Sequence, residues 1–242
     1  MLATRTFHGS RIGARRDPTR VVECASLRNM EIFRSLPSAD IERVCSAATF
    51  HHIALRKPIA VSPEGKTLHL LAQGLAKVTR LDANGTEMIV HLLKAGELFG
   101  PQISPGSTDT MVVALRPCVA VSIRLADMEQ ILGSPALAEE IDRVRSLRLT
   151  QMEERLADIC MGRVPARTAR TVLRLCDEFP AKLPCGTKVD VRFTQKDIAN
   201  MIGATREVTS STLNNFKREG WLGMHDRYMC VHNADGLRAM LA

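Results

Sequence analysis

Phe193-Thr-Gln-Lys-Asp-Ile-Ala-Asn-Met-Ile-Gly-Ala-Thr-Arg-Glu-Val-Thr-Ser-Ser-Thr-Leu-Asn-Asn-Phe-Lys-Arg-Glu-Gly-Trp-Leu222 reads as two helices joined by a tight turn. Thr194 and Thr205 stand where N-caps belong, because a side-chain oxygen there can accept from a free N–H of the first helical turn. Asp197 follows Thr194 at the spacing of a reciprocal capping box. Gly203 supplies the turn between the helices, and Gly220 ends the second one. Spacing of 3.6 residues puts Thr209, Thr212, Leu213 and Phe216 on the inward face of that second helix. Arg206, Glu207, Ser210, Ser211, Asn214, Lys217 and Arg218 are left outside. A stripe that begins with Arg-Glu and ends with Lys-Arg suits base edges first and phosphates after. The alternative is an ordinary helical hairpin with a solvated face.

Upstream of this stretch, Thr168–Glu178 has a helical pattern, and Gly186–Phe193 reads as a strand feeding the first helix. Downstream, Leu222–Val231 carries Asp226-Arg227 between short apolar pieces and reads as a β-hairpin wing. Helix, strand, helix–turn–helix and wing define a winged-helix unit over residues 162–242, with Gly162 and Pro165 marking the hinge before it. Ahead of the hinge, Ile141, Val144, Arg148, Met152, Leu156 and Ile159 recur at three- and four-residue steps. They predict a helix of about 25 residues, spanning on the order of 35–40 Å, over residues 135–161. Such a helix is longer than a small domain needs and suits pairing with its twin along an apolar seam. Met152, Leu156 and Ile159 are the best seam candidates. Packing of these residues on the preceding unit is the alternative.

Residues 49–125 change period. Leu68–Ala72, Leu75–Leu81, Glu87–Leu93, Val112–Leu115 and Val119–Ile123 are short apolar runs separated by turn signals, which predicts strands. Asp82-Ala-Asn-Gly85 is a hairpin turn with Asn-Gly at its tip. A sandwich or roll with its own core follows, flanked by short helices around residues 28–34 and 38–47, in a unit running from 21 to 134. Residues 1–20, with Arg5, Arg11, Arg15, Arg16 and Arg20, read as a basic arm. The fold class expected is α+β.

Composition narrows the function classes. The 242 residues suffice for two packed units, and the net charge of +7 favours a polyanionic partner. The seven Cys are scattered without a Cys-x-x-Cys pair, so neither a disulfide framework nor a zinc or iron–sulfur site is suggested. Reduced thiols, and the lack of a long apolar run or an apolar signal region, place the protein in the cytoplasm and off the membrane. An enzyme would need a Gly-rich phosphate loop, a metal motif or a nucleophile in a recognisable setting, and the sequence offers none.

The layout resembles the cyclic-AMP receptor protein/FNR family of bacterial transcription regulators over roughly residues 27–240. Phe193–Leu222 carries most of the likeness. Gln73-Gly74-Leu-Ala-Lys-Val78, Asp82–Gly85 and Ala95-Gly96-Glu-Leu-Phe-Gly100 add to it. The resemblance implies a cyclic-nucleotide-binding-like β-roll, a long dimerisation helix and a C-terminal winged helix. It further implies a homodimer on near-palindromic double-stranded DNA, with RNA polymerase as a further partner. Arg206 and Glu207 match the family's base readers, for guanine and for a cytosine amino group, and both pairings suit the donor–acceptor pattern. Ser211 stands where the family often has a second Arg, so readout relaxes at that base pair. Thr194, Lys196 and Thr205 are expected to hold phosphates at helix starts, with Ser210, Asn214 and Lys217 completing the interface.

The effector half departs from that pattern. Gly96, Phe99, Gly100, Thr108 and Asp109 occupy the expected effector pocket. Pro101 stands where cyclic-AMP binders have Glu. Ser107-Thr-Asp-Thr-Met111 lacks the cation that grips the cyclic phosphate, and Asp109 repels it. No cofactor is therefore expected, and cyclic AMP or cyclic GMP fits poorly. His51, His52, His69 and His91 are candidate haem or metal ligands, and Cys24, Cys45 and Cys118 candidate thiol sensors. None stands in a binding motif, so the sequence names no effector.

Overall fold

Alternation of apolar and polar side chains between Thr49 and Arg124 closes the chain into a β-roll of two antiparallel four-stranded sheets. A computed structural model of the chain describes residues 24–28, 30–34, 36–61, 64–104, 110–184 and 186–241. The basic arm predicted over residues 1–20 lies outside them. One sheet has the order β1 (Thr49–Ile53), β8 (Cys118–Arg124), β3 (Thr67–Gln73), β6 (Leu98–Phe99). The other has the order β2 (Pro58–Ile59), β7 (Thr110–Ala114), β4 (Leu75–Leu81), β5 (Glu87–Lys94). Leu71, Ala76, Val78, Leu93, Phe99 and Val112 form the core between the sheets. The β4–β5 turn closes as expected, with Asp82 Oδ1 accepting from the N–H groups of Asn84 and Thr86 at 2.8 Å each. Strands β1, β2 and β6 go beyond the predicted set. β1 is largely exposed and its Phe50-His-His carries no apolar run, while the other two are only two residues long.

The outer face of the first sheet is covered by helices. Residues 24–28 are helical, Glu31–Phe33 forms a 3₁₀ turn, and α1 spans Ser38–Ala47. Leu27, Phe33, Ile41 and Val44 pack there against Leu68, Leu70 and Val121. The helix expected around 28–34 is thus shorter and broken. Helix α2 (Leu125–Leu132) stops at Gly133, whose φ of 80° a side chain would resist. Helix α3 then runs over Ser134–Met161, with Pro135 in its first turn.

The long helix presents two faces, and the residues of the expected seam divide between them. Ile141 is buried in the roll's outer core and Val144 packs against it. Arg148 donates to Leu98 O at 3.3 Å. Ile159 turns towards the winged unit, where its side chain lies 3.6 Å from the place of a Cβ on Gly203. All four therefore contact their own chain. Leu149, Met152 and Leu156 form a separate stripe, 59%, 55% and 62% exposed. At about 100° per residue, Leu149 and Leu156 sit roughly a quarter turn round from Arg148.

The rest of the chain is a winged helix: α4 (Val164–Glu178), β9 (Pro180–Leu183), β10 (Gly186–Val189), α5 (Gln195–Ile202), α6 (Arg206–Arg218), β11 (Leu222–His225), β12 (Tyr228–Val231) and α7 (Ala234–Arg238). Helix α4 starts four residues before the predicted Thr168, because Pro165 fits the first helical turn as well as it fits a hinge. The strand predicted to reach Phe193 ends at Val189 and pairs with β9, which the sequence did not suggest. Leu75, Ile89 and Leu92 of the roll join the winged unit's own core of Val172, Val189 and Met201. The two units are therefore packed together by apolar contact.

Candidate nucleic-acid interface

Two well-capped helices build the interface. Thr194 Oγ1 accepts from the Asp197 N–H at 3.0 Å, and Asp197 Oδ2 accepts from the Thr194 N–H at 2.9 Å and from its hydroxyl at 2.7 Å. The predicted capping box is therefore complete. Its geometry restricts one expected role: the Thr194 hydroxyl proton is given to Asp197, so only backbone N–H groups there remain for a phosphate. Gly203 closes α5 in the left-handed region, with φ 62° and ψ 45°. Thr205 caps α6 by accepting from the Val208 N–H at 3.3 Å, which leaves its own hydroxyl proton free to donate outward.

On α6 the inward face is Thr209, Thr212, Leu213 and Phe216, as the period predicts. Thr209 and Thr212 satisfy their hydroxyls on the carbonyls of Thr205 and Val208, at 2.8 and 2.9 Å. Arg206, Glu207, Ser211 and Asn214 are exposed, while Ser210 and Lys217 are half-buried. Among the described residues neither Arg206 nor Glu207 has an ion-pair partner, so both are open to a base edge. Lys196 is exposed, with Nζ 3.9 Å from Glu87. The wing turns at Asp226 and Arg227, with φ of 50° and 69°. Arg227 is an exposed cation at the wing tip that the sequence analysis did not assign, although Asp-Arg between two apolar pieces marks the turn.

A second missed feature ties this interface to the roll. Lys77 of β4 reaches Asp197 Oδ1 and Glu87 Oε1, at 2.9 Å each, with the three side chains only 13%, 11% and 18% exposed. Asn200 of α5 donates to Glu87 Oε2 at 3.0 Å. Burial alone would lower the Lys77 pKa, but the hydrogen bonds it donates to Asp197 and Glu87 outweigh it and leave it raised. Burial likewise opposes ionisation of Asp197, and its bonds to Lys77 and Thr194 outweigh that and hold its pKa down. Stability from Asp197 is thus present above the ordinary carboxylate range and lost as pH falls through the depressed value. Stability from Lys77 is present below the ordinary ammonium range and lost as pH rises through the raised value. Lys77→Met is expected to lower unfolding free energy by about 1–2 kcal/mol, below the full cost of breaking a buried pair because Thr194 still bonds Asp197. Urea titration measures it, and an unchanged midpoint would refute the link.

The expected effector pocket is differently occupied. Phe99 is 2% exposed, lies in the inter-sheet core and stands 5.4 Å from the His69 ring, so it is a packing residue. Gly100 has φ 99°, and a Cβ there would meet His69 at 3.0 Å. Gly96 turns the chain at φ 92° with open space beside it. Thr108 and Asp109 lie outside the described residues. Gln102 is buried, and Arg145 Nε of α3 donates to its carbonyl at 2.6 Å. Of the candidate ligands, His51 Nε2 and His69 Nδ1 share the Ser122 hydroxyl, at 3.0 and 3.2 Å. Burial, with help from the nearby His51, pulls His69 down to about 4. His91 is also pushed down by burial, while its Nε2 contacts Glu97 at 2.7 Å. Among the described residues no three His, Cys, Asp or Glu side chains are grouped to hold a metal ion. Cys45 and Cys118 are buried, and burial pushes the Cys118 thiol up, away from a reactive thiolate.

Known proteins share both halves. The Crp-like helix-turn-helix domain family matches residues 166–240, and the cyclic nucleotide-binding domain family matches residues 62–134. A CRP-like cAMP-activated global transcriptional regulator of Mycobacterium tuberculosis is 27% identical over 176 residues, 72% of this chain and 79% of that protein. The global nitrogen regulator of Synechococcus elongatus is 25% identical over 171 residues, 69% and 77% of the two chains. The fold is shared with a putative crp/fnr-family transcriptional regulator of Eubacterium rectale, at TM-score 0.69 and 17% identity, over 88% of this chain and 98% of that one. It is also shared with the c-di-GMP responsive regulator CLP of Xanthomonas campestris, at TM-score 0.67 and 18% identity, over 81% and 99%. No helix among the described residues is long and apolar enough to cross a membrane. A nucleotide-binding-type roll followed by a Crp-like reading head makes this chain a member of the cyclic-AMP receptor protein/FNR family of DNA-binding transcription regulators.

Proposed function

We propose that the protein acts in the cytoplasm as a homodimer that reads a near-palindromic site in double-stranded DNA, without answering to a cyclic nucleotide. The observation that carries the reading is the start of α6, where Arg206 and Glu207 are exposed, unpaired among the described residues and preceded by the free hydroxyl proton of Thr205. Arg206 suits a guanine and Glu207 a cytosine amino group. Thr205, Lys196, Lys217 and the backbone at Thr194 suit phosphates, with Ser210, Ser211 and Asn214 alongside. Pairing along Leu149, Met152 and Leu156 would present two such helices about 34 Å apart, to successive major grooves. RNA polymerase is the further partner this class of regulator implies. Against a cyclic nucleotide stand Pro101 after Gly100 and the filling of the inter-sheet space by Phe99 and His69.

Fluorescence anisotropy with genomic fragments, run over a salt series, tests the DNA reading. Saturable binding to a subset of fragments without added ligand, falling steeply with salt, is the expected outcome. Calorimetry with cyclic AMP should show no binding. A micromolar dissociation constant would overturn the second half of the proposal and leave the first intact.

A further inference from the structure

Between the roll and the winged unit lies a cleft of about 530 Å³, within the size range of small-molecule sites. Its walls come from β5, the C-terminal half of α3, α4 and the end of α5. Five cationic side chains line it, Lys94, Arg155, Arg167, Arg170 and Arg174, together with four carboxylates. Most of that charge is already matched. Arg170 pairs with Asp158, and Glu178 takes Lys94 at 3.3 Å and Arg174 at 3.7 Å. Glu97 is held by His91 at 2.7 Å and by Arg148 at 3.6 Å. Glu154, the fourth, is exposed at the rim.

Arg155 and Arg167 are the exceptions. Each is half-buried, and among the described residues neither meets a carboxylate at salt-bridge distance. Arg155 donates to the carbonyls of Asn200 and Met201, and Arg167 to the carbonyl of Ile159 at 3.1 Å. The Nε of each is shut off from solvent with no acceptor. Burial, reinforced by repulsion from Arg174, pulls the Arg155 guanidinium down to about 10. Two partly desolvated guanidinium groups beside one cleft, with no carboxylate at salt-bridge distance, are costly, and an anion in the cleft supplies both with a close counter-charge.

We propose that this cleft binds a small polyanion, a metabolite carrying two or more carboxylate or phosphate groups, with Arg155 and Arg167 as its principal ligands. The site is separate from the expected effector position, since Gly96, Phe99 and Gly100 are not on its wall. Every wall belongs to a different element of the roll, the long helix or the winged unit, so occupancy holds the reading head against the sensor. That regulatory consequence rests on the DNA-binding function proposed above; the binding itself does not.

Calorimetry on the full chain without DNA, at constant ionic strength, with citrate and inorganic pyrophosphate as separate probes, decides the matter. Saturable binding of either probe is expected, weakened about tenfold or more in Arg155→Gln and in Arg167→Gln, as loss of a charge-assisted hydrogen bond implies. Glu154→Gln, at an exposed position that folding tolerates, should tighten it. Arg206→Ala should leave it unchanged, which separates this site from the DNA-reading face. A preference for citrate or for pyrophosphate identifies the anionic group. The proposal falls if neither probe binds, or if affinity follows Arg206 instead of the cleft. It falls equally if Glu154→Gln and whichever of the two Arg variants fold all bind like the parent.

Discussion

Arg206→Ala is expected to cost about 1–3 kcal/mol of operator discrimination per half-site, and twice that for a symmetric dimer on two half-sites. The effect should fall on specificity: affinity for the preferred fragment drops while affinity for random DNA barely moves. A bidentate donor aimed at guanine is lost, whereas the phosphate contacts of Thr205, Lys196 and Lys217 remain. Competition titrations with specific and random duplexes measure the difference. Equal loss on both would make Arg206 a phosphate contact and move base readout elsewhere on α6. Ser211 predicts tolerance at one base pair, which the same duplexes can report.

Leu156→Arg is expected to turn the proposed dimer into a monomer that remains folded. Leu156 is 62% exposed, so the single chain gives up almost no packing when it is replaced. In a twofold seam the substitution occurs twice. Each lost side chain is worth about 1.5–3 kcal/mol, and two facing guanidinium groups add repulsion. Dimer association should therefore weaken by on the order of 10²–10⁴. DNA affinity should fall with it, because two half-sites are no longer engaged by one molecule. Sedimentation equilibrium at micromolar concentration reads the first effect, and a persistent dimer would place the interface away from Leu149, Met152 and Leu156.

The reading head was legible in the sequence because its rules are local. The Thr194–Asp197 box, Gly203, the Thr205 cap and the four-residue inward face of α6 are each decided within one or two helical turns. The roll was legible only where an apolar run spanned four residues or more, so Pro58–Ile59, Leu98–Phe99 and the largely polar β1 went unseen. The long helix was found, but its faces were not separable by period alone. Ile141, Val144 and Arg148 follow the same three- and four-residue steps as Met152 and Leu156, and only the roll beside them decides which are covered. Phe99 was expected in the pocket from the family likeness of Ala95–Gly100, yet its ring is packed between the sheets. Lys77 and Asp197 lie 120 positions apart, so no sequence pattern links them, and the Arg155–Arg167 cleft is equally a product of tertiary folding.

Asp197 uses its two carboxylate oxygens for different tasks: Oδ2 closes the start of α5, and Oδ1 holds Lys77. Docking of the two units and integrity of the first turn of the helix–turn–helix are thereby thermodynamically coupled. A swing of the reading head away from the roll strips a largely buried carboxylate of its cation, while the bonds from Thr194 to Oδ2 stay within the first turn of α5. Intermediate orientations leave Asp197 and Lys77 desolvated without full pairing, so they lie higher in free energy than the docked state or a fully released one. Reorientation of α6 then becomes an all-or-none transition, and a signal arriving at the roll would be passed to DNA as a switch instead of a graded tilt.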